Sequence, residues 1–417
     1  MSALTGEFAD RHALVALCDA NETRMRVHNA ALERRGLARL PMYGSGEFAR
    51  MLAERDVETV VVCTVDCVHD EYICAALAAG CDVITEKPMT IDAERCRRIL
   101  AAEAAARGSV TVAFNYRYNP IHERLREVIA AGAIGEVGSV HFEWLLDTRH
   151  GADYFRRWHR EKAVSGGLLV HKATHHFDLV NWWIGSSPEL VFALGRLFFY
   201  GAENGARRGL ARDYERAHGA AAAVGDPFAL QLEHNQRLTA LYLDAEHEDG
   251  YVRDRNVFGS GIDIEDDMAL LVRYRSGAVM TYHLSAYSPW EGYRIMLNGS
   301  RGRLELEVTE AAHVDPAATT TTTTPHGGGA DGGPEARLLW RPLWQRPRAI
   351  ALPRAAGPHG GGDQRMLAAL FGPPADDPLQ RRSTHHDGAL SLLTGLAANE
   401  SLRTGRPVRV ADLLDRS

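Results

Sequence analysis

Three lysines stand among the 47 basic residues of this chain: Lys87, Lys162 and Lys172. Arginine takes nearly every other position where a positive charge is needed. The difference is chemical, because a compact ammonium can lose its proton on burial and a guanidinium cannot. Lys87 lies in Glu86-Lys87-Pro88, and Lys172 in His171-Lys172-Ala-Thr-His175-His176. Lys162, in Trp158-His-Arg-Glu-Lys162, reads as a surface charge. Chemistry is expected at Lys87, with chance survival of a lysine as the alternative. A helix starting near Gly167 would put His171, His175 and Asp178 at i, i+4 and i+7, on one face. Two histidines and a carboxylate in that spacing suit proton transfer. They also have zinc-ligand spacing, but no Glu follows His171 directly and no metal is expected.

The elements that must carry these residues divide into two patterns. Short apolar strands alternate with helices over the first half: strands Ala13–Cys18, Val57–Cys63, Asp82–Thr85 and Val110–Phe114, and helices Glu22–Arg35, Phe48–Arg55, His69–Gly80 and Ile91–Arg107. That alternation predicts a doubly wound parallel sheet. After a helix at Ile121–Ala131 the strands lengthen and alternate: Val137–Trp144, Leu190–Phe199, Met268–Arg275, Ala278–Leu284, Arg294–Asn298 and Gly302–Glu307. This predicts an open, mostly antiparallel sheet covered on one face. The boundary is placed at 118, giving domains 1–118 and 119–417. Residues 317–358, rich in Thr, Gly and Pro, read as a flexible surface insertion. The chain closes on a helix at Gly388–Asn399.

A length of 417 residues fits two domains, and no apolar run approaches a membrane span. The formal charge of −7 argues against a nucleic-acid surface. The six cysteines, Cys18, Cys63, Cys67, Cys74, Cys81 and Cys96, lack paired metal spacing and read as reduced thiols of a cytoplasmic protein.

A nucleotide domain of this type opens with a strand, a glycine-rich turn and a helix whose N-terminus receives a pyrophosphate. Here Met1–Asp10 reads as the end of that helix, and no G-x-G-x-x-G precedes the strand that ends at Asp19. Gly44-Ser-Gly46 is not that fingerprint. The domain is expected to be N-terminally truncated by roughly twenty residues or slightly more. Asp19 ends its strand where a carboxylate would accept from a ribose 2′-hydroxyl and repel a 2′-phosphate, favouring NAD over NADP. It would serve equally as a helix cap. Thr64 and His69 follow the next strand, at the carboxyl edge where ligands collect; His69 could instead simply start its helix.

Several stretches together resemble the Gfo/Idh/MocA oxidoreductases, the glucose–fructose oxidoreductase and inositol dehydrogenase family. They are Val61-Val62-Cys63-Thr64-Val65-Asp66-x-x-His69, Gly80-x-Asp82-Val83-x-x-Glu86-Lys87-Pro88 and Phe114-Asn115-Tyr116-Arg117-Tyr118-x-Pro120. Gly135-x-Val137-Gly138, Gly166-Gly167-Leu168 with His175-x-x-Asp178, and the closing Asp387–Ser401 helix follow in order. The resemblance implies a Rossmann domain, an α+β substrate and oligomerisation domain, NAD(P), and hydride transfer at a hydroxyl carbon of a sugar or cyclitol. It implies that Glu86 lines the nicotinamide pocket and that Lys87 touches both cofactor and reacting hydroxyl, a plain Glu86–Lys87 salt bridge being the alternative. Asn115 and Arg117 would face cofactor and substrate, and Trp158 with His159 would floor a sugar ring, unless Trp158 is a core residue. His175 is the candidate base and Lys87 would polarise the oxygen, unless His175 is a core histidine. Family members often carry Asp where His171 stands, and Lys172 would compensate or mark a different substrate. A homodimer or homotetramer is expected. The alternatives are an NAD-dependent glycosidase of the same fold, and a non-catalytic sugar or dinucleotide sensor.

Overall fold

The computed structural model describes residues 1–314, 335–355 and 357–415. Two short parallel sheets build the first domain. One pairs β1 (Leu17–Asp19) with β2 (Met42–Gly44); the other orders β3 (Thr59–Val62), β4 (Asp82–Thr85) and β5 (Val110–Val112). Helices α1 (Glu22–Glu33), α2 (Phe48–Glu54), α3 (His69–Ala78) and α4 (Ala93–Ala105) alternate with the strands, as their sequence pattern predicts. Side-chain caps set two of the helix starts: Asn21 accepts from the Arg24 amide and Asp92 from the Arg95 amide.

The sheet is split where a doubly wound fold is continuous. No described strand joins β1 to β3. An apolar groove of about 270 Å³ runs between them, lined by Val15, Leu17, Val60, Val61 and Val62 among others. Val15 is 37% and Val61 47% exposed, although both sit in strand-like apolar runs. Met1–Asp10, read from sequence as the end of a helix, lies instead in a series of hydrogen-bonded turns over residues 2–11. So short a segment, with Gly6 inside it, gains too few bonds to sustain helix nucleation.

A segment from Asn115 to Tyr118 leads out of β5 into α5 (Pro120–Ala130), which Asn119 caps and Pro120 opens. The second domain is a nine-stranded mixed sheet in the order β13-β12-β11-β10-β6-β9-β8-β7-β14. Its strands are β6 (Val137–Asp147), β7 (Pro188–Arg196), β8 (Asp267–Tyr274), β9 (Val279–Ser288), β10 (Glu291–Gly299), β11 (Gly302–Ala311), β12 (Glu335–Pro342), β13 (Arg348–Ile350) and β14 (Val408–Arg409). Every pairing is antiparallel except β6 with β9. Strict burial alternation along β8 and much of β9 gives one covered and one open face, and the open face carries Leu194, Leu271 and Val279.

The covered face packs under α6 (Thr148–Arg156), α7 (Leu168–His171), α8 (Thr174–Ile184) and α10 (His385–Thr404); α9 (Gly362–Phe371) lies against the Asn115–Tyr118 segment. Two sequence expectations need correction. Residues 335–342 and 348–350 are the last two strands at one end of the sheet, not flexible insertion: Leu338 and Leu339 are buried, and apolar pairing outweighs the Pro and Gly around them. Positions 317–334 of that expected insertion lie outside the described residues. The single helix expected from Gly167 is two helices, α7 and α8, broken at Lys172–Ala173.

Candidate active site

Parallel strands direct their carboxyl ends to one edge, and the candidate residues gather there. Glu86 and Lys87 leave β4, Thr64 and Asp66 leave β3, and Asp19 ends β1. Opposite them the turn Gly166-Gly167, at φ +71° and +77°, launches α7 and brings His171 over the sheet edge. A Cβ at Gly166 would lie 2.7 Å from the Val170 side chain, so glycine is required there on space as well as on φ.

Lys87, His171 and Asp66 form one hydrogen-bonded row. Lys87 Nζ lies 3.3 Å from His171 Nε2 and 3.1 Å from the His171 carbonyl oxygen. His171 Nδ1 lies 2.5 Å from Asp66 Oδ2. The partners fix the tautomer: Nδ1–H donates to Asp66 and Nε2 accepts from the ammonium. An ammonium has three N–H groups, so one remains for a ligand. Burial pushes Lys87 and His171 down and Asp66 up, and the Lys87 charge lowers His171 further. Glu86, by contrast, is exposed; its Oε2 accepts from the Lys87 amide at 3.3 Å.

His175 does not share a face with His171, because the break at Lys172–Ala173 changes the helical register. Its ring stacks on Tyr116 at 4.4 Å and meets Phe114 edge-on at 5.9 Å. His175 Nδ1 is buried without a partner, and burial beside Lys87 and Lys172 drives its pKa well below the usual histidine value. A neutral imidazole with an open nitrogen is competent as a base. Asp178 is elsewhere: both its oxygens bind Arg117, at 2.8 and 2.6 Å, and Asp387 joins at 2.9 Å. Arg117, 2% exposed, is thereby locked inside the protein and does not open onto the row. His171, His175 and Asp178 thus have three different partner sets and do not converge.

Lys172 is also buried. Its Nζ donates to Tyr116 Oη at 3.1 Å and stands over the Trp144 and Tyr116 rings, and burial lowers it to about 8. It supports Tyr116 from behind. His69 likewise turns inward, with Nδ1 2.9 Å from the Pro88 carbonyl oxygen and Nε2 3.2 Å from that of Thr64; its neutral ring donates to one of the two. This ties the two sheet-edge loops together. Lys162 pairs with Glu265 at 2.6 Å, as a surface charge would. The half-buried Trp158 stacks on His159 at 3.7 Å, and His159 meets His171 at 4.1 Å, so an aromatic floor adjoins the row.

The residues fit the two ends of a dinucleotide. Asp19 Oδ1 accepts from the Asn21 amide at 2.8 Å, leaving its second oxygen for a ribose hydroxyl. Asn115 Nδ2 donates to Asp363 at 2.5 Å, while Asn115 Oδ1 is a buried acceptor without a partner, suited to a carboxamide N–H. Among the described residues no glycine-rich turn stands beside β1.

Comparison with known proteins agrees with this layout. Residues 5–114 match the model of an oxidoreductase family's NAD-binding Rossmann fold, and residues 126–410 match that family's C-terminal α/β domain. The chain belongs to the Gfo/Idh/MocA oxidoreductase family. It is 35% identical over 430 residues to the putative oxidoreductase YteT of Bacillus subtilis, covering 98% of this chain and 94% of that one. An inositol 2-dehydrogenase of Pseudomonas savastanoi is 44% identical over 146 residues, 34% of this chain and 40% of its own. In fold it is similar to an oxidoreductase domain protein of Kribbella flavida (TM-score 0.65, 18% identity, 98% and 94% covered). It is also similar to a levoglucosan dehydrogenase solved with NADH and levoglucosan (TM-score 0.62, 16% identity, 95% and 90% covered).

Sequence reasoning missed Asp66, although it stands inside the family stretch Val65-Asp66-x-x-His69 at a sheet edge. It missed His359 and Asp363 too. His359 lies 5.4 Å from Tyr116, and its Nδ1 is 3.1 Å from Asn115 Nδ2. Both follow or end a stretch that reads as flexible. Arg157 carried no signal in a chain so rich in arginine.

Proposed function

We propose that this Gfo/Idh/MocA oxidoreductase is an NAD-dependent dehydrogenase acting at a hydroxyl carbon of a sugar or cyclitol. The observation that carries the reading is the Lys87–His171–Asp66 row, which holds one ammonium N–H open beside a neutral His175. The third N–H of Lys87 would hold the substrate oxygen and stabilise the charge that grows on it as its proton leaves. His175 would take that proton. Asp66 keeps His171 in the tautomer that accepts from Lys87, and so aims the ammonium. Trp158 and His159 would orient the ring by stacking. Nicotinamide, when bound, supplies the hydride acceptor; Asn115, Glu86 and Thr64 would contact its end of the cofactor, and Asp19 the adenosine ribose. The free carboxylate of Asp19 favours NAD over NADP. A cytoplasmic homodimer or homotetramer, paired through the open sheet face, accompanies this reading.

The test incubates the chain with NAD and a panel of sugars and cyclitols, following nicotinamide absorbance. Stoichiometric NADH with one class of polyol supports the reading. Turnover without net NADH would indicate glycosidic cleavage through a transient oxidation instead. Dinucleotide binding with no turnover on any member would indicate a sensor.

A further inference from the structure

Beside the aromatic floor the chain buries more positive charge than it neutralises. Asp153, on α6, is surrounded by Arg156, Arg157 and Arg253. Among the described residues Arg157 alone makes a hydrogen-bonded pair with it, at 3.0 Å; Arg156 and Arg253 stand off at 3.7 Å. One carboxylate thus faces three guanidinium groups. Arg156 and Arg253 are each 2% exposed. Arg156 Nη2, Arg157 Nε, and both Nε and Nη1 of Arg253 are buried donors with no hydrogen-bond acceptor among the described residues, although the Tyr251 side chain acts on Arg157 and the Arg253 guanidinium lies 4.5 Å from the Tyr242 ring. Buried donors are ordinarily satisfied, and a cluster left open on three neighbouring arginines is a site built for an acceptor. With Arg156 and Arg253 buried, this is not a basic surface patch.

The cluster adjoins the candidate active site. Arg157 precedes Trp158 in the chain, and its charge is felt at Lys87, Asp66, His159 and His171; that of Arg253 is felt at His159. A guanidinium presents paired N–H groups to two oxygens of one group, the geometry of a carboxylate or a phosphate. A neutral hydroxyl supplies neither the charge nor the second oxygen.

We infer that the substrate carries an anionic group, a carboxylate or a phosphate ester, held by Arg157 and Arg253 while its ring lies on Trp158. This rests on the dehydrogenase reading only for placing the sugar ring.

Calorimetric titration of the full chain tests it without requiring turnover. The probes are D-galacturonate and D-glucuronate, D-galactose 6-phosphate and D-glucose 6-phosphate, and neutral D-galactose and D-glucose. One acidic class is expected to bind at least tenfold more tightly than its neutral parent, and the arm that does so identifies carboxylate or phosphate. Arg253→Gln is expected to erase that preference while leaving neutral-sugar affinity within twofold. Should that variant not fold, Arg253→Lys, which keeps the charge but loses the fork, is expected to cut the preference at least threefold. Equal affinity for acidic and neutral sugars, no binding of any acidic sugar, or an undiminished preference in the folded variant overturns the inference. The dehydrogenase reading fails separately, if the wild-type chain reduces no NAD with any acidic or neutral sugar.

Discussion

Among the described residues the Asp66 side chain hydrogen-bonds to His171, so on the proposed mechanism it acts through the tautomer it imposes. Asp66→Asn presents either a donor or a neutral acceptor to Nδ1 and releases that constraint. We expect kcat to fall about 100-fold, within the usual span for proton-transfer groups, with dinucleotide affinity unchanged by titration. On the proposed mechanism, His175 and Lys87 set the pH dependence. The base works deprotonated, so the rate rises as pH climbs through its pKa; since burial lowers it from 6.5, the acid limb should lie below pH 6.5. Lys87 works as an ammonium and is lowered from 10.5, so the alkaline fall should begin before pH 10.5. A kcat/KM profile that is flat between these limbs is the expected result. His175→Asn should remove the acid limb along with most of the rate. Lys87→Arg should not rescue activity, because the planar fork cannot take the place of a three-donor ammonium.

At the scale of elements, α10 holds α7 in place. A Cβ at Gly395 would lie 2.3 Å from the Leu169 carbonyl oxygen, so Gly395→Ala must push α7, and His171 with it, away from the sheet edge. Displacement of about 1 Å is enough to cost roughly 100-fold in rate, and assays on the folded variant should show kcat falling more than KM changes. The Arg117–Asp178–Asp387 cluster does a different job, tying the Asn115–Tyr118 segment to α8 and α10. Arg117→Met strands a buried carboxylate, and urea denaturation should show a loss of about 3–5 kcal/mol. These elements also show what sequence conveyed. The strands and helices of both domains follow from apolar period, which is a local property. The break at Lys172–Ala173 does not: Thr174–Ile184 and Leu168–His171 both favour helix, and the register between them depends on Tyr116 and on packing against α10. His171 and His175 could therefore be singled out from sequence as candidates, while their partners could not. Arg117 looked like a site residue because it stands in the stretch that carries Asn115 and Tyr116, yet its guanidinium is bound to Asp178 and Asp387.

Across the whole molecule, the two domains meet at a second place far along the chain from the Asn115–Tyr118 segment. The loop region between β7 and β8 returns to the first domain, where Asn21 Nδ2 donates to the Ala245 carbonyl at 2.8 Å and Thr23 Oγ1 to Glu248 at 2.6 Å. Arg24 is the centre of this contact. It donates to the Leu241 carbonyl at 3.0 Å, pairs with Asp249 at 2.6 Å, and lies 5.8 Å from the rings of both Tyr242 and Tyr251. Tyr242 in turn lies 4.5 Å beneath Arg253, and both tyrosines act electrostatically on Arg157. One guanidinium on α1, a helix that starts just after Asp19, is thus linked through two aromatic rings to the arginines beside Trp158. No short-range signal announces such a link, since its partners are more than two hundred positions apart. Arg24→Ala should loosen the clamp by about 1–2 kcal/mol, the sum of a half-buried ion pair and weak cation–π contacts. If the rings transmit the loss, the preference for acidic over neutral sugars should weaken up to about tenfold, although Arg24 lies in the other domain. A double-mutant cycle with Arg253→Gln decides it: coupling above about 0.5 kcal/mol marks one connected unit, and additive effects mark two independent contacts.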